Sequence, residues 1–323
     1  MTSRILVLRL LFFSLVLLAI FSTVKRGLKT YTSSRALAIT EEPLTEEFEA
    51  IKPLFFQLSE PTPGSWRASN YELGQLFSEF KENYAPRGQR KANIYLQAVG
   101  SLSEGGEKLL KLTAEYLEHF FCLPVVVLPA IETIDIPPHA KRFDSYINQE
   151  QIETEYLLEH VLRPIRPDDA LAYLAFTEID LYPNTSYNFV FGQAKPANRV
   201  AVVSTARFGD AARSELDFRK TLRRVLRTSA HEAAHAIGLE HCISYQCQMN
   251  GSNSLEEADS QPLMLCAHCQ QKLNYRASCK PQQRLEKVSD FLFKQRLIAE
   301  AARMRVVHGK MSLLNQRQNS IVR

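Results

Sequence analysis

The chain has 323 residues, which is enough for one large domain or two modest ones with a sizeable buried core. Its hydrophobic fraction of 45% and charged fraction of 23% are ordinary for a folded protein and exclude a largely disordered chain. The net charge of +4 is uneven, because residues 1–30 carry +5 and residues 280–323 carry +7, which leaves −8 between them. Basic ends on an acidic body do not indicate sequence-specific reading of nucleic acid, and we expect no such partner.

An apolar run over residues 5–24 predicts a membrane-spanning helix or a signal segment within residues 1–30. The run has no clear small-residue cleavage site at its end, which favours an uncleaved hydrophobic helix and association with a membrane. More basic residues follow the run than precede it, so the positive-inside rule places the rest of the chain on the cytoplasmic side. A secreted protein with a cleaved signal and a mitochondrial protein with a presequence are the alternatives.

Alternating strand and helix signals follow along the body of the chain. Helices are predicted over 72–84, 105–121, 148–162 and 216–239, and strands over 92–99, 124–128, 170–177, 188–191 and 199–204. This order indicates an α+β domain in which helices cover a mixed β-sheet. We expect one domain over residues 36–279, followed by a basic helical tail over residues 280–323.

The most informative motif is a histidine pair near the end of the predicted helix over residues 216–239. His231 and His235 are four residues apart, so their side chains share one helix face and can bind one metal ion. Glu232 reaches a metal-bound water without taking a ligand position. The predicted chemistry is hydrolysis of a peptide bond by a zinc-activated water, with Glu232 as the general base.

Gly238 and His241 extend this motif. Glycine adopts positive φ readily and can end a helix sharply, so the chain can turn and bring His241 back to the metal. Three neutral histidines and a water form an open tetrahedral zinc site of the catalytic kind. Histidines that only form hydrogen bonds in a core are the competing interpretation, and the cysteine cluster that follows argues against it.

Four of the six cysteines lie within 28 residues. They form two pairs, a spacing that is typical of a closed structural zinc site, with four buried reduced cysteines as the alternative. The four predicted ligands are Cys242, Cys247, Cys266 and Cys269. The other two cysteines, Cys122 and Cys279, are predicted to be ordinary thiols.

The two predicted sites meet where His241 precedes Cys242. We therefore expect the structural zinc to hold the segment that presents the third histidine. Met249 follows His241 by eight residues and is the candidate for the methionine that underlies a three-histidine site in metzincins, with Met264 as its rival.

Together these residues resemble the archaemetzincin family, which belongs to the metzincin clan of zinc metallopeptidases. The similarity extends to residues 63–66, 180–182, 189–194, 202–208 and 251–259. The resemblance implies a metzincin-like catalytic domain with a long active-site helix, peptidase activity of the aminopeptidase type on a peptide or small protein, and two zinc ions per chain. By position it assigns the catalytic zinc to the three histidines, the structural zinc to the four cysteines, and the Met-turn to Met249.

Two functions from different classes stay open at this point. The first is an active zinc peptidase, and the second is a catalytically quiet zinc-binding module that uses its cysteine cluster to bind a partner. Glu232 favours the peptidase, because a pure scaffold has no use for a carboxylate between two ligands.

Overall fold

A five-stranded mixed sheet forms the centre of the fold in the computed structural model, which describes residues 32–86, 92–145 and 147–321. The strands are β1 (Asn93–Val99), β2 (Val125–Ile131), β3 (Lys141–Asp144), β4 (Gln149–Glu153), β5 (Ala170–Thr177), β6 (Asp180–Tyr182), β7 (Gly192–Lys195) and β8 (Val200–Ser204). The helices are α1 (residues 32–41), α2 (Glu46–Ile51), α3 (Trp66–Ser69), α4 (Phe77–Asn83), α5 (Glu104–Phe121), α6 (Thr154–Tyr156), α7 (Arg163–Ile165), α8 (Glu215–Ala236), α9 (Leu255–Ser260), α10 (Ala267–Ala277), α11 (Pro281–Lys294) and α12 (Ile298–Ile321). A π-helical stretch over Leu157–Leu162 joins α6 to α7.

The strand order of the main sheet is β2-β1-β5-β8-β7, and a smaller sheet has the order β3-β4-β6. The first four strands of the main sheet are parallel, and β7 runs antiparallel to β8 at the edge. The central strand β5 is fully buried and largely apolar, as expected for a strand that has helices on both faces.

The two faces of β5 belong to two apolar cores. Leu174 and Phe176 point into the larger core, which α5 and α8 cover. Tyr173 and Ala175 point into a smaller core formed with Leu157 and its neighbours in the π-helical stretch. Because successive side chains of a strand alternate between faces, one strand supports both layers. The predicted mixed α+β architecture is confirmed, and the domain bounds at 36–279 stay a prediction.

Several predicted elements differ from the structure. The predicted helix over residues 148–162 begins with β4 instead, because Gln151 and Ile152 pair with the neighbouring strand β6. The strand predicted over residues 188–191 lies later, at β7. The strand predicted over residues 124–128 forms the start of β2 at the sheet edge, where Val126 and Val127 are exposed although they belong to an apolar run.

The transmembrane prediction is wrong for the part of the chain that the structure describes. Within it, no helix combines the length and the apolar character needed to cross a membrane. The long helices α8 and α12 carry basic and acidic side chains along their length. The apolar run at residues 5–24 and the N-terminal hydrophobic helix predicted from it lie outside the described residues. The same finding contradicts the predicted membrane partner and the predicted membrane-associated localisation.

The C-terminal helices α11 and α12 pack against each other, α11 also against α5 and α12 against α2. Phe291, Leu292 and Met311 are buried in the main core. Cys122 and Cys279 form a disulfide, which joins the end of α5 to the start of this helical pair. The prediction that they are ordinary thiols is therefore wrong, since helix ends 157 residues apart in sequence are neighbours in space.

Candidate functional site

Helix α8 positions the first two histidines. Its start is capped by the Ser214 side chain, which accepts a hydrogen bond from the backbone N–H of Asp217. Towards its end, the small residues Ala230, Ala233 and Ala234 are fully buried and let the helix approach β7 and β8 closely. His231 and His235 therefore lie next to the antiparallel edge of the sheet.

Gly238 ends this helix as the sequence predicted. Its φ of 105° is a conformation that L-residues with side chains rarely adopt. The backbone N–H of Gly238 donates to the carbonyl of His235, and that of Leu239 donates to the carbonyl of Ala234. The chain turns at this point and brings His241 back beside the two helical histidines.

The three histidines converge through their Nε2 atoms. Nε2 of His231 lies 3.0 Å from Nε2 of His235 and 3.2 Å from Nε2 of His241. Each Nδ1 faces an acceptor: the carbonyl of Gln248 for His231 at 2.8 Å, the carbonyl of Leu239 for His235 at 2.6 Å, and a carboxylate for His241. An acceptor at Nδ1 requires the proton there, which leaves the Nε2 lone pair free.

This arrangement fits a cation. Burial lowers the pKa of His231 well below its ordinary value and that of His235 to about 3, so both rings are neutral near pH 7. Three lone pairs pointed at one another repel, and a metal ion between them removes the repulsion. The three Nε2 atoms are thus the donor set that zinc takes in a three-histidine site.

Glu232 is buried beside this cluster. Its side chain packs so closely on β7 that a Cβ built at Gly192 would lie 2.7 Å from the Cγ atom of Glu232. Burial raises the pKa of Glu232 to about 8, and the charge of Arg227 opposes that rise. A cation held by the histidines would oppose it further. A carboxyl group with a pKa near neutrality can accept and return a proton, which is the requirement for a general base and acid.

The four predicted cysteine ligands form a second cluster. Their sulfur atoms all lie within 4.8 Å of one another, all four are free thiols, and all four are buried. The Sγ atom of Cys247 accepts hydrogen bonds from the backbone N–H groups of Cys266, at 3.2 Å, and Met249, at 3.4 Å. Four buried sulfur atoms that converge on one point are the donor set of a closed, tetrahedral zinc site.

One loop connects the clusters. The backbone N–H of Cys242 donates to the carbonyl of Met249, and the Asn250 amide donates to the carbonyls of Cys242 and Tyr245. Met249 is fully buried within this loop, and Gln248 beside it holds Nδ1 of His231. The loop therefore contacts both clusters, and the hold of a structural zinc on the His241 segment stays a prediction.

Residues 66–84, which we call the strap, cover the turn that carries His241, and sequence reasoning missed their role. Glu72 supplies the carboxylate that accepts from Nδ1 of His241 at 2.6 Å. Trp66 contacts the His241 ring edge-to-face at 5.2 Å between centroids. Gln75 donates to the carbonyl of Gly238 at 3.0 Å. The sequence carries only a weak signal for these contacts, because 169 residues separate Glu72 from His241 in the chain.

A mixed sheet beside a helix that carries H-E-x-x-H, followed by glycine and a third histidine, defines the class of zinc-dependent peptidases. The comparisons with known proteins agree. A family model described as Peptidase family M54 matches residues 126–275. Archaemetzincin-2 from Pongo abelii is 32% identical over a 266-residue alignment that covers 71% of this chain and 72% of the relative. The archaemetzincin of Pyrococcus furiosus is 33% identical over 183 residues, covering 55% of this chain and 92% of the relative.

Among solved structures, the archaemetzincin of Methanopyrus kandleri is 30% identical and has a TM-score of 0.47, covering 58% of this chain and 96% of its own. The chain belongs to the archaemetzincin family and is a zinc metallopeptidase, a hydrolase. Membership of this family argues against the alternative of a catalytically quiet zinc-binding module.

Proposed function

We propose that the chain binds two zinc ions and hydrolyses peptide bonds at the histidine cluster. The catalytic ion would be held by His231, His235 and His241 through Nε2. The structural ion would be held by Cys242, Cys247, Cys266 and Cys269, and Met249 would serve as the Met-turn residue. The convergence of three Nε2 atoms, each with an acceptor at its Nδ1, is the observation that carries this proposal.

Zinc at the histidines would polarise the substrate carbonyl and lower the pKa of a water molecule. Glu232 would take the proton from that water as it attacks and then return the proton to the leaving amine. Its burial beside the histidine cluster supports both steps, because burial raises the pKa of the carboxyl group above its ordinary value and a bound cation would oppose that rise. Gly192 would keep the Glu232 side chain in place by leaving room for it.

The experiment uses the full chain with its zinc content measured. Glu232→Gln keeps the size of the side chain but removes the base, so we expect hydrolysis of a peptide panel to fall by about 10²–10⁴-fold. Zinc content should stay unchanged, because Glu232 contributes no ligand. Unaltered hydrolysis in this variant would contradict the proposal and indicate a contaminating peptidase.

We further propose cleavage of the aminopeptidase type, which is supported by the family resemblance. Peptides with a free N-terminus should be cleaved faster than the same peptides with an acetylated N-terminus. Equal rates on both forms would contradict this specificity and leave the zinc peptidase assignment untouched.

A further inference from the structure

The third histidine is held differently from the other two. His231 and His235 are presented by helix α8, and backbone carbonyls accept from their Nδ1 atoms. His241 lies beyond the end of that helix, and its Nδ1 faces the side chain of Glu72. This contact therefore depends on a particular residue, whereas a backbone carbonyl is available from any sequence.

Glu72 lies in a stretch of the strap without regular secondary structure, ahead of α4. Its Oε1 atom accepts from Nδ1 of His241 at 2.6 Å, and both side chains are mostly shielded, with 24% and 18% exposed. The other oxygen, Oε2, is buried and has no hydrogen-bond partner among the described residues. Among the described residues, the His241 imidazole is therefore the hydrogen-bond partner that the Glu72 carboxylate has.

The rest of the strap maintains this geometry. Gln75 contacts the His241 turn at two points, donating to the carbonyl of Gly238 and accepting from the backbone N–H of Glu240. The Tyr84 ring covers Gly238 so closely that a Cβ at that glycine would lie 2.5 Å from it. Lys272 of α10 donates to the carbonyl of Gln75 and ties the strap to the helix that begins at the cysteine cluster.

We propose that Glu72 is the positioning residue of the catalytic metal site, holding His241 with Nε2 directed at the metal. This inference rests on the proposed function of the histidine cluster. A carboxylate at Nδ1 fixes the tautomer and the ring orientation and increases the electron density at Nε2. A metal ion beyond the ring in turn offsets the cost of a shielded carboxylate.

The test compares the full chain with Glu72→Ala and Glu72→Gln. Glu82→Gln is the matched control, since it removes an equal charge from an exposed position of the same strap. Each protein is loaded with cadmium-113 and measured by NMR, where a metal bound by three nitrogens resonates far from one bound by four sulfurs. Competition with a chelator then gives the affinity of each site for zinc.

We expect Glu72→Ala to weaken zinc binding at the histidines by about ten- to a hundred-fold and to shift the nitrogen-ligated resonance. Glu72→Gln should recover part of that loss, because its amide oxygen still accepts from Nδ1. The sulfur-ligated resonance and the Glu82→Gln protein should stay unchanged. The near-isosteric glutamine variant keeps the test valid if the alanine variant fails to fold.

Histidine-site affinity within two-fold of the wild type in both Glu72 variants would overturn the inference. A lower unfolding temperature with unchanged zinc affinity would also overturn it, because Glu72 would then only attach the strap. Absence of a nitrogen-ligated resonance in the wild-type chain would be a different failure, since it would overturn the proposed function of the cluster itself.

Discussion

The histidine cluster and the cysteine cluster are one peptide bond apart, between His241 and Cys242, yet they are built in different ways. The four cysteines are at most 8% exposed, and they come from the loop that follows α8 and from the start of α10. Two of the three histidines are only partly buried. The Nδ1 atoms of the three rings face acceptors from three different parts of the chain. A closed site is typical of a structural metal ion, whereas a catalytic metal ion needs a site that water and substrate can reach.

We expect the largest effect from substitutions that separate the structural role of the cysteine cluster from the catalytic role of the histidine cluster. Cys247→Ser removes a buried sulfur atom that is a proposed zinc ligand and that accepts from two backbone N–H groups, and we expect a loss of more than about 4 kcal/mol in the free energy of unfolding. His235→Ala should abolish peptide hydrolysis but cost only about 1–2 kcal/mol. Chemical denaturation and a peptide assay on both variants measure the difference. Equal destabilisation by both would show that the histidine cluster is also structural.

The sequence revealed the site through residues close together in the chain. Three histidines, one glutamate and Gly238 lie within 11 residues, and their spacing on a helix followed by a turn determines where the side chains point. The predicted helix over residues 216–239 matches α8 because its caps and apolar face agree with its packing. Local periodicity and tertiary contacts favour the same conformation in this region.

The parts of the fold and of the site that the sequence did not predict depend on contacts between distant parts of the chain. The predicted helix over residues 72–84 begins only at Phe77, because Glu72 and Gln75 turn towards the loop at residues 238–241. The groups that accept from Nδ1 of His231 and His235 are backbone carbonyls, which every residue has, so no residue type in the sequence indicates them. Periodicity reports which face of an element is apolar, and it does not identify the distant group that the element meets.

We expect a smaller effect on activity from Gly192, the residue of β7 against which Glu232 packs. In Gly192→Ala the new Cβ would lie 2.7 Å from Cγ of Glu232 and 2.8 Å from the backbone carbonyl oxygen of Val202. The carbonyl is part of β8 and cannot yield easily, so Glu232 must move, and we expect about a ten-fold lower kcat with a stability loss of about 1–3 kcal/mol.

Gly105→Ala is the matched control for Gly192→Ala. A Cβ at Gly105 meets only ordinary contacts at 3.7 Å and beyond, so activity should not change. Stability should rise slightly, because alanine is the better residue inside helix α5. Full activity in Gly192→Ala would show that the position of Glu232 against β7 is not required for hydrolysis.

The smallest effect concerns Trp66, which touches the same imidazole as Glu72 but through its ring. The indole meets His241 edge-to-face and lies against Gly251, so Trp66→Leu removes an aromatic contact while the Glu72 hydrogen bond stays. Such pairs contribute about 0.5–1.5 kcal/mol, which corresponds to a two- to ten-fold loss of zinc affinity at the histidines. Trp66→Phe should recover most of it.

Affinity measured by chelator competition in Trp66→Leu, Glu72→Ala and the double variant ranks the two contacts. Both act on one ring, so we expect the double variant to lose less than the sum of the two single losses. A loss in Trp66→Leu as large as that in Glu72→Ala would mean that packing against the ring, and not the carboxylate, orients His241. Unchanged zinc binding at the four cysteines in all three proteins would place the effect at the histidine cluster, because Trp66 and Glu72 both contact the His241 ring.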